Sequence, residues 1–389
     1  MKTINKAYKF RIYPTNNQRL KLSKTFGCVR FLWNQEVNLF NEKKDSKSYK
    51  ELKVEYPWLS EVSASSLQQK EMDFKDFKNQ FFSKTRKKKL GRPRFHSRRD
   101  KQSYRLPNQK FYLIENKIQL EKIGKIKIVL DRIIPEDAKF LSVTVSKNRT
   151  NQYFVSISVE QQVLSKEKTN KSIGIDVGLK NFLTTSNGDV IDNPKYFSEN
   201  QAKIGKLQRH LSRKRGSRKG EIKSSRWLKL NQRINMLHLK VFNCRNNFLH
   251  NVSTSLVNNY DVICIEDLNT SGLLKNHRLA KSIQDVSWSQ FFSILKYKCD
   301  WYGKDLVMVN RFYPSSKTCF SCGNIKENLK LEDRTYTCNC GYVCDRDLNA
   351  AKNILAFGVT EAQRMSSSAT DKDQSRSNYV ETSTLIGIE

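Results

Sequence analysis

Two short apolar runs that each end in an acid constrain this chain more than any other feature. "SIGID" closes on Asp176 and "VICIE" closes on Glu266. Both runs are apolar on both faces, as strands in the middle of a covered sheet are. A lone carboxylate at such a place costs several kcal/mol unless it is paired, protonated or bound to a cation. A third acid, Asp347, opens the helical pattern "DLNAAKNI". Acids at the ends of two neighbouring strands, with a third on a helix packed against them, would form one anionic cluster. Such a cluster needs a cation, and all-oxygen ligation selects magnesium or manganese. Two such ions ~4 Å apart activate a water and stabilise the leaving oxygen at a phosphodiester. An acid at a strand end can equally stay solvated or cap the next helix. Asp189, Asp267 and Asp345 are also available, so spacing alone leaves the choice open.

Five of the nine cysteines fall between residues 319 and 344. "CFSCG" supplies Cys319 and Cys322, and "CNCG" supplies Cys338 and Cys340. Four thiolates from two knuckles in this spacing suit a closed tetrahedral zinc, structural in role. The second knuckle is one residue shorter than C-x-x-C, which leaves Cys344 as an alternative fourth ligand. Cys28, Cys244, Cys264 and Cys299 read as buried apolar fillers.

Lysine and arginine total 71 against 38 acids in 389 residues, a formal charge of +33. That excess excludes an ordinary enzyme of small neutral substrates and points to a polyanion, by default nucleic acid. No apolar run approaches the ~18 residues of a membrane span, and "MKTINKAYKF" lacks the apolar core of a signal peptide. A cytoplasmic protein with no membrane partner is expected, nucleoid-associated when bound to DNA. Two basic clusters are candidate backbone-holding groups: Lys84, Arg86, Lys87, Lys88, Lys89, Arg92, Arg94, Arg98 and Arg99, then Arg213, Lys214, Arg215, Arg218 and Lys219. Either could also be a solvated face. Phe95, Tyr104 and Trp33 are candidates for stacking on bases, with Trp33 also readable as core.

Periodicity places these motifs. "NKAYKFRIYP" alternates, setting Tyr8, Phe10 and Ile12 on one side of a strand that ends at Pro14. A helix follows, with Thr15 as N-cap and Gln18 completing a capping box; Gly27 within it is a contact or a break. Residues 64–85 form a second amphipathic helix. From about 103 to 160 the period is two, with hairpin turns at Glu115-Asn116 and at Asn148–Asn151. This order predicts one barrel or sandwich carrying a helical insertion. A polar linker at 163–170 leads to a strand pair at 171–186. Helices over 198–259 are broken by a basic turn. Next come the "VICIE" strand, a helix closed by Gly303, the strand "KDLVMVN" and, beyond the cysteines, a helix stopped by Gly358. The Ser- and Thr-rich remainder is expected to be disordered.

The motifs "GIDVGLKNFLTTSNGD", "VICIEDLNTSGLLKN" and "SSKTCFSCG…LKLEDRTYTCNCGYVCDRDLNAAKNI", in this order, resemble the TnpB (OrfB) proteins of insertion sequences. These are RNA-guided DNA endonucleases related to type V CRISPR effectors. "KAYKFRIYPTNNQRLKLSKTFGCVRFLWN" and "GRPRFHSRRDKQSYR" extend the resemblance to residues 5–357. It implies an α/β and β multidomain chain: an RNase H-like (RuvC) nuclease domain at 171–310 and 346–357, with a zinc-ribbon, target-nucleic-acid-binding insertion at 311–345. Before it would lie a wedge β-barrel at 1–14 and 96–165 carrying a helical recognition insertion at 15–95; 358–389 is the tail. It assigns Asp176, Glu266 and Asp347 as catalytic acids, with Asp345 as runner-up. Its implied partners are a guide RNA, one chain per RNA, and double-stranded target DNA beside a short flanking motif. A DNA-binding regulator that does not cut and a strand-transferring transposase are the competing readings.

Overall fold

Alternation along the first strand, β1 (Lys2–Tyr13), buries Tyr8, Phe10 and Ile12 and turns Lys9 and Arg11 outward. The computed structural model describes residues 1–85, 90–218, 220–330, 332–361 and 363. They divide into two units, 1–163 and 164 onward.

In the first unit β1 runs into α1 (Asn16–Asn41), whose capping box joins Thr15 and Gln18 reciprocally at 3.0 and 3.4 Å. α1 passes through Gly27 without a break, and nothing but the tip of Arg30 comes within 4 Å of where a Cβ would sit. Next come α2 (Tyr49–Glu55) and α3 (Ala64–Phe82). Six more strands follow: β2 (Gln102–Pro107), β3 (Phe111–Ile114), β4 (Lys117–Leu120), β5 (Gly124–Val129), β6 (Lys139–Lys147) and β7 (Tyr153–Val163). All pairings are antiparallel, in the order β2-β6-β7-β1-β5-β4-β3. The edges β2 and β3 are joined by only the three residues Asn108–Lys110. Six inter-strand steps of about 4.8 Å would hold flat edges roughly 29 Å apart, beyond the reach of three residues. The sheet therefore curls into a near-closed barrel. Its inward residues share a core with α1. Tyr104 belongs to that core, 2% exposed, so it cannot stack on a base.

The second unit begins with β8 (Ser172–Val177), β9 (Asn181–Thr185) and β10 (Val190–Asp192), then α4 (Tyr196–Ser212) and α5 (Ser225–Asn259). β11 (Val262–Glu266), α6 (Thr270–Leu273), α7 (Ala280–Val286), α8 (Trp288–Tyr302) and β12 (Asp305–Val309) follow. The sheet order is β10-β9-β8-β11-β12: antiparallel through β8, parallel from β8 to β12. Residues 311–345 carry a small hairpin, β13 (Thr335–Thr337) with β14 (Val343–Asp345). A last helix, α9, spans 346–361.

The sheet is covered on both faces. Ile173, Ile175, Ile263 and Ile265 point to a core built with α5 and α8. Cys264 and Val309 point the other way, to Ile354 of α9. α9 does not stop at Gly358 but runs through it. A Cβ there would lie 2.5 Å from Cys264 Sγ, so glycine serves close packing rather than termination. Cys244 is half-buried on α5 rather than a core filler. Among the described residues no helix is long and apolar enough to cross a membrane.

Candidate metal centres and nucleic-acid interface

Parallel register aligns the two acid-tipped strands. Gly174 pairs with Cys264 and Ile175 with Ile265, so Glu266 follows level with Asp176. Side chains two apart share a sheet face. Asp176 therefore lies on the face of Gly174, and Glu266 on the face of Cys264, which is the face α9 covers. A Cβ on Gly174 would lie 2.2 Å from Ala351 O and 2.7 Å from Leu355 N. α9 thus rests on bare backbone, and Asp347, one turn before Ala351, is delivered to the strand ends.

Asp176 feels the other two acids. The Asp176 carboxyl is pushed up to about 8, first by burial, then by the charges of Asp347 and Glu266. Burial raises Glu266 too, with Asp267 adding to it. The alternative acids have other work. Asp267 is ion-paired with Arg311. Asp345 Oδ1 accepts the backbone N–H of Asp347 and Leu348 at 2.9 and 3.1 Å, which makes it the N-cap of α9. Asp189 turns back on Thr185 between β9 and β10. The all-oxygen chemistry of Asp176, Glu266 and Asp347 suits a divalent hard cation.

The thiols form a tighter group. Sγ atoms of Cys319, Cys322, Cys338 and Cys340 all lie within 4.8 Å of one another, the one such set of metal-ligating atoms among the described residues. Cys319 and Cys340 are 3.7 Å apart, Cys322 and Cys338 3.6 Å. A zinc tetrahedron with Zn–S near 2.3 Å has edges of about 3.8 Å, so the quartet matches a structural zinc. Each knuckle turns at a glycine of positive φ, Gly323 at 77° and Gly341 at 86°. A backbone hydrogen bond from Tyr342, then Cys322, draws the Cys340 thiol down to about 7. Cys344 stands outside the quartet, on β14 opposite Tyr336.

Of the first basic cluster, Lys84, Arg92, Arg94, Arg98 and Arg99 are exposed, and the charge of Arg94 helps to lower the Asp100 carboxyl. Arg86, Lys87, Lys88 and Lys89 lie outside the described residues, as do Lys219 and the tail from 364. Arg213, Arg215 and Arg218 are exposed and Lys214 is half-buried, in the turn between α4 and α5. Phe95 is 54% exposed. Trp33 is already occupied: it stacks on His96 at 4.8 Å and donates to Arg94 O. Sequence reasoning missed a cavity of about 470 Å³ between the C-terminal ends of α1 and α3, with Phe40, Phe81 and Phe82 beside Lys43, Lys78 and Arg92. The "FF" pair ahead of the basic run was its available signal.

Three family models match this sequence: "Cas12f1-like, TNB domain" over residues 288–354, "Probable transposase" over 155–277 and "Helix-turn-helix domain" over 1–43. The last span here forms one strand and one long helix. Two of the relatives that bear the name "Putative RNA-guided DNA endonuclease" cover nearly the whole chain. One, from Streptomyces pristinaespiralis, is 37% identical over 374 residues, covering 92% of this chain and 90% of its own. The other, InsQ of Escherichia coli (strain K12), is 29% identical over 384 residues, covering 90% and 92%. Among solved structures, the protein of a Cas12f1–sgRNA–target DNA complex shares the fold at a TM-score of 0.52 and 15% identity, over 90% of this chain and 98% of that one.

Proposed function

Because the chain belongs to the TnpB (OrfB) family of IS605-type insertion sequences, related to Cas12f, we propose that it is an RNA-guided DNA endonuclease whose Asp176, Glu266 and Asp347 hold the catalytic metal. The observation that carries this reading is the meeting of the acid-tipped strands β8 and β11 with α9 over Gly174, where burial and the charges of Asp347 and Glu266 raise the Asp176 carboxyl. The strand order β10-β9-β8-β11-β12, with acids at the ends of β8 and β11, supports an RNase H-like (RuvC) assignment for the second unit.

Magnesium or manganese bound there supplies charge neutralisation at a DNA phosphodiester and a water acidic enough to attack it. Asp176, at the end of β8, would be one of the ligands that hold the ion. Glu266 approaches from the adjoining strand and Asp347 from the first turn of α9. Asp345 holds that turn in place and Arg311 keeps Asp267 out of the cluster. In this reading residues 171–310 with 346–357 are the nuclease domain and 311–345 the target-binding ribbon. The barrel of the first unit is the wedge, with 15–95 as recognition insertion. A guide RNA, one chain per RNA, pairs with one strand of the target duplex next to a short flanking motif. Arg92, Arg94, Arg98, Arg99 and the cluster at Arg213–Arg218 hold nucleic-acid backbones without reading sequence.

The test uses the protein purified with its RNA, a matched DNA duplex and magnesium. Cleavage is expected, and Asp176→Ala should lower it roughly a thousandfold or more while leaving DNA occupancy unchanged. Intact DNA at full occupancy of the unmutated complex would reject the enzyme in favour of a binding regulator. Joined rather than cut ends would favour a transposase.

A further inference from the structure

α9 is gripped from two sides. Residues 347, 351 and 355 follow one another at four-residue spacing and form the face laid on the sheet. Asn349 and Asn353 lie about half a turn round, on the opposite face. Both are buried, at 0% and 4% exposure, and both are spent on the first zinc knuckle. Asn349 Nδ2 donates to Thr318 O at 2.8 Å, and Asn349 Oδ1 accepts from Phe320 N at 3.2 Å. Asn353 Nδ2 donates to Thr318 O at 2.6 Å and to Ser315 O at 2.8 Å. Thr318 and Phe320 flank Cys319, one of the four thiol ligands. At the other end of the ribbon Arg346, the residue before Asp347, donates its N–H to Arg334 O at 2.8 Å and its guanidinium to Lys330 O at 2.9 Å. β14 then runs directly into α9, so the ribbon contacts that helix through its first knuckle, its middle and its last strand.

We infer that Asn349 and Asn353 are positioning residues which couple the zinc centre to the carboxylate centre: the zinc-folded knuckle clamps α9 from behind and thereby sets where Asp347 stands. The inference rests on the reading of Asp347 as a metal ligand. Neither asparagine touches the carboxylates, so their effect passes through the helix. A knuckle held by zinc offers the Thr318 and Phe320 backbone groups in one geometry, and a knuckle without zinc does not. Coupling between two sites is reciprocal, so zinc should tighten divalent-ion binding at the carboxylates, and the divalent ion should slow zinc loss.

The experiment titrates Mn2+ into the full chain without RNA, read by the spin resonance of free Mn2+. The site is identified as the binding that Asp176→Asn removes. Zinc-loaded protein should bind Mn2+ roughly tenfold more tightly than zinc-stripped protein, the effect typical of supporting residues around a metal site. Zinc-loaded Asn349→Ala should match the stripped wild type, and stripping its zinc should change Mn2+ affinity no further. Asn353→Ala should fall between. A residue that merely stabilises the fold would leave the zinc effect intact in the variant; non-additivity is the signature of the clamp. Equal Mn2+ affinity with and without zinc in the wild type overturns the coupling, whether or not the variants fold. No Mn2+ binding sensitive to Asp176→Asn overturns the functional reading and the coupling with it.

Discussion

The four thiols and the three carboxylates are two answers to one electrostatic problem, the gathering of groups that repel each other when ionised. The thiols come from two knuckles within 22 residues, and their donor atoms already lie within 4.8 Å of one another. Tight turns at Gly323 and Gly341 impose that geometry locally. The carboxylates come from positions 176, 266 and 347, are brought together by a sheet and a helix, and stand further apart. Burial first, and then the charges of Asp347 and Glu266, raise the Asp176 carboxyl. A local site can be nearly complete before its metal arrives, because short chain segments fix it. A site assembled across the fold depends instead on sheet register and helix packing to bring its groups near one another.

This contrast is open to attack, beginning with the largest effect. Replacing Cys319 by Ser should unfold residues 311–345, since a structural zinc contributes on the order of 10 kcal/mol to folding. Hydrogen exchange should show loss of protection there and retention in β8 and β11; retained protection in the ribbon would remove zinc from its folding. Asp176→Asn should act oppositely in metal-free protein. The folded carboxyl sits at about 8, above its unfolded value near 3.9. For an acid shifted upward, native stability is greatest below the unfolded value, falls as pH rises toward 8 and levels off above it. The substitution should therefore stabilise the protein by about 3 kcal/mol at pH 9, taking roughly half of 1.36 kcal/mol per unit to allow for solvent screening. Near pH 4 it should have no effect. Thermal melts at both pH values decide this, and magnesium should raise the melting temperature of the wild type but not of the variant.

Gly174→Ala probes the assembled site through its packing. The new methyl meets the α9 backbone, which cannot rotate away, at a cost of about 2 kcal/mol. Cleavage should drop with it while zinc content stays at one per chain, because no thiol moves. Loss of zinc in this variant would show that the ribbon's own turns do not suffice to hold the quartet. The smallest effect belongs to Cys344→Ser. Standing outside the quartet, it should change stability by less than about 0.5 kcal/mol and zinc content not at all, checked by metal analysis.

Some of this organisation was legible before any coordinates. The capping box at Thr15 and Gln18, the strand alternation at Tyr8, Phe10 and Ile12, and the knuckle spacing all depend on residues close in sequence, where period and turn chemistry speak directly. Tyr104 was misread because an aromatic amid arginines looks the same whether its ring faces solvent or the barrel interior. Gly358 was misread because glycine ends helices and also admits close packing, and only Cys264 beneath it distinguishes the two. The Phe40, Phe81 and Phe82 cavity joins two helix ends far apart in sequence, and the "FF" pair signals only one of them.

By itself, the sequence determined the longer periodic elements, the zinc quartet's candidates and the excess of positive charge, because each is set by neighbours along the chain or by composition. Tertiary structure decided the surroundings of the candidate acids. It gave Asp345 to a helix cap and Asp267 to Arg311, and set Asp347 over Asp176 through the bare backbone of Gly174. The physical reason is distance along the chain: the energy that brings residues 176, 266 and 347 together resides in sheet register and helix packing, and neither is written in any one of the three segments.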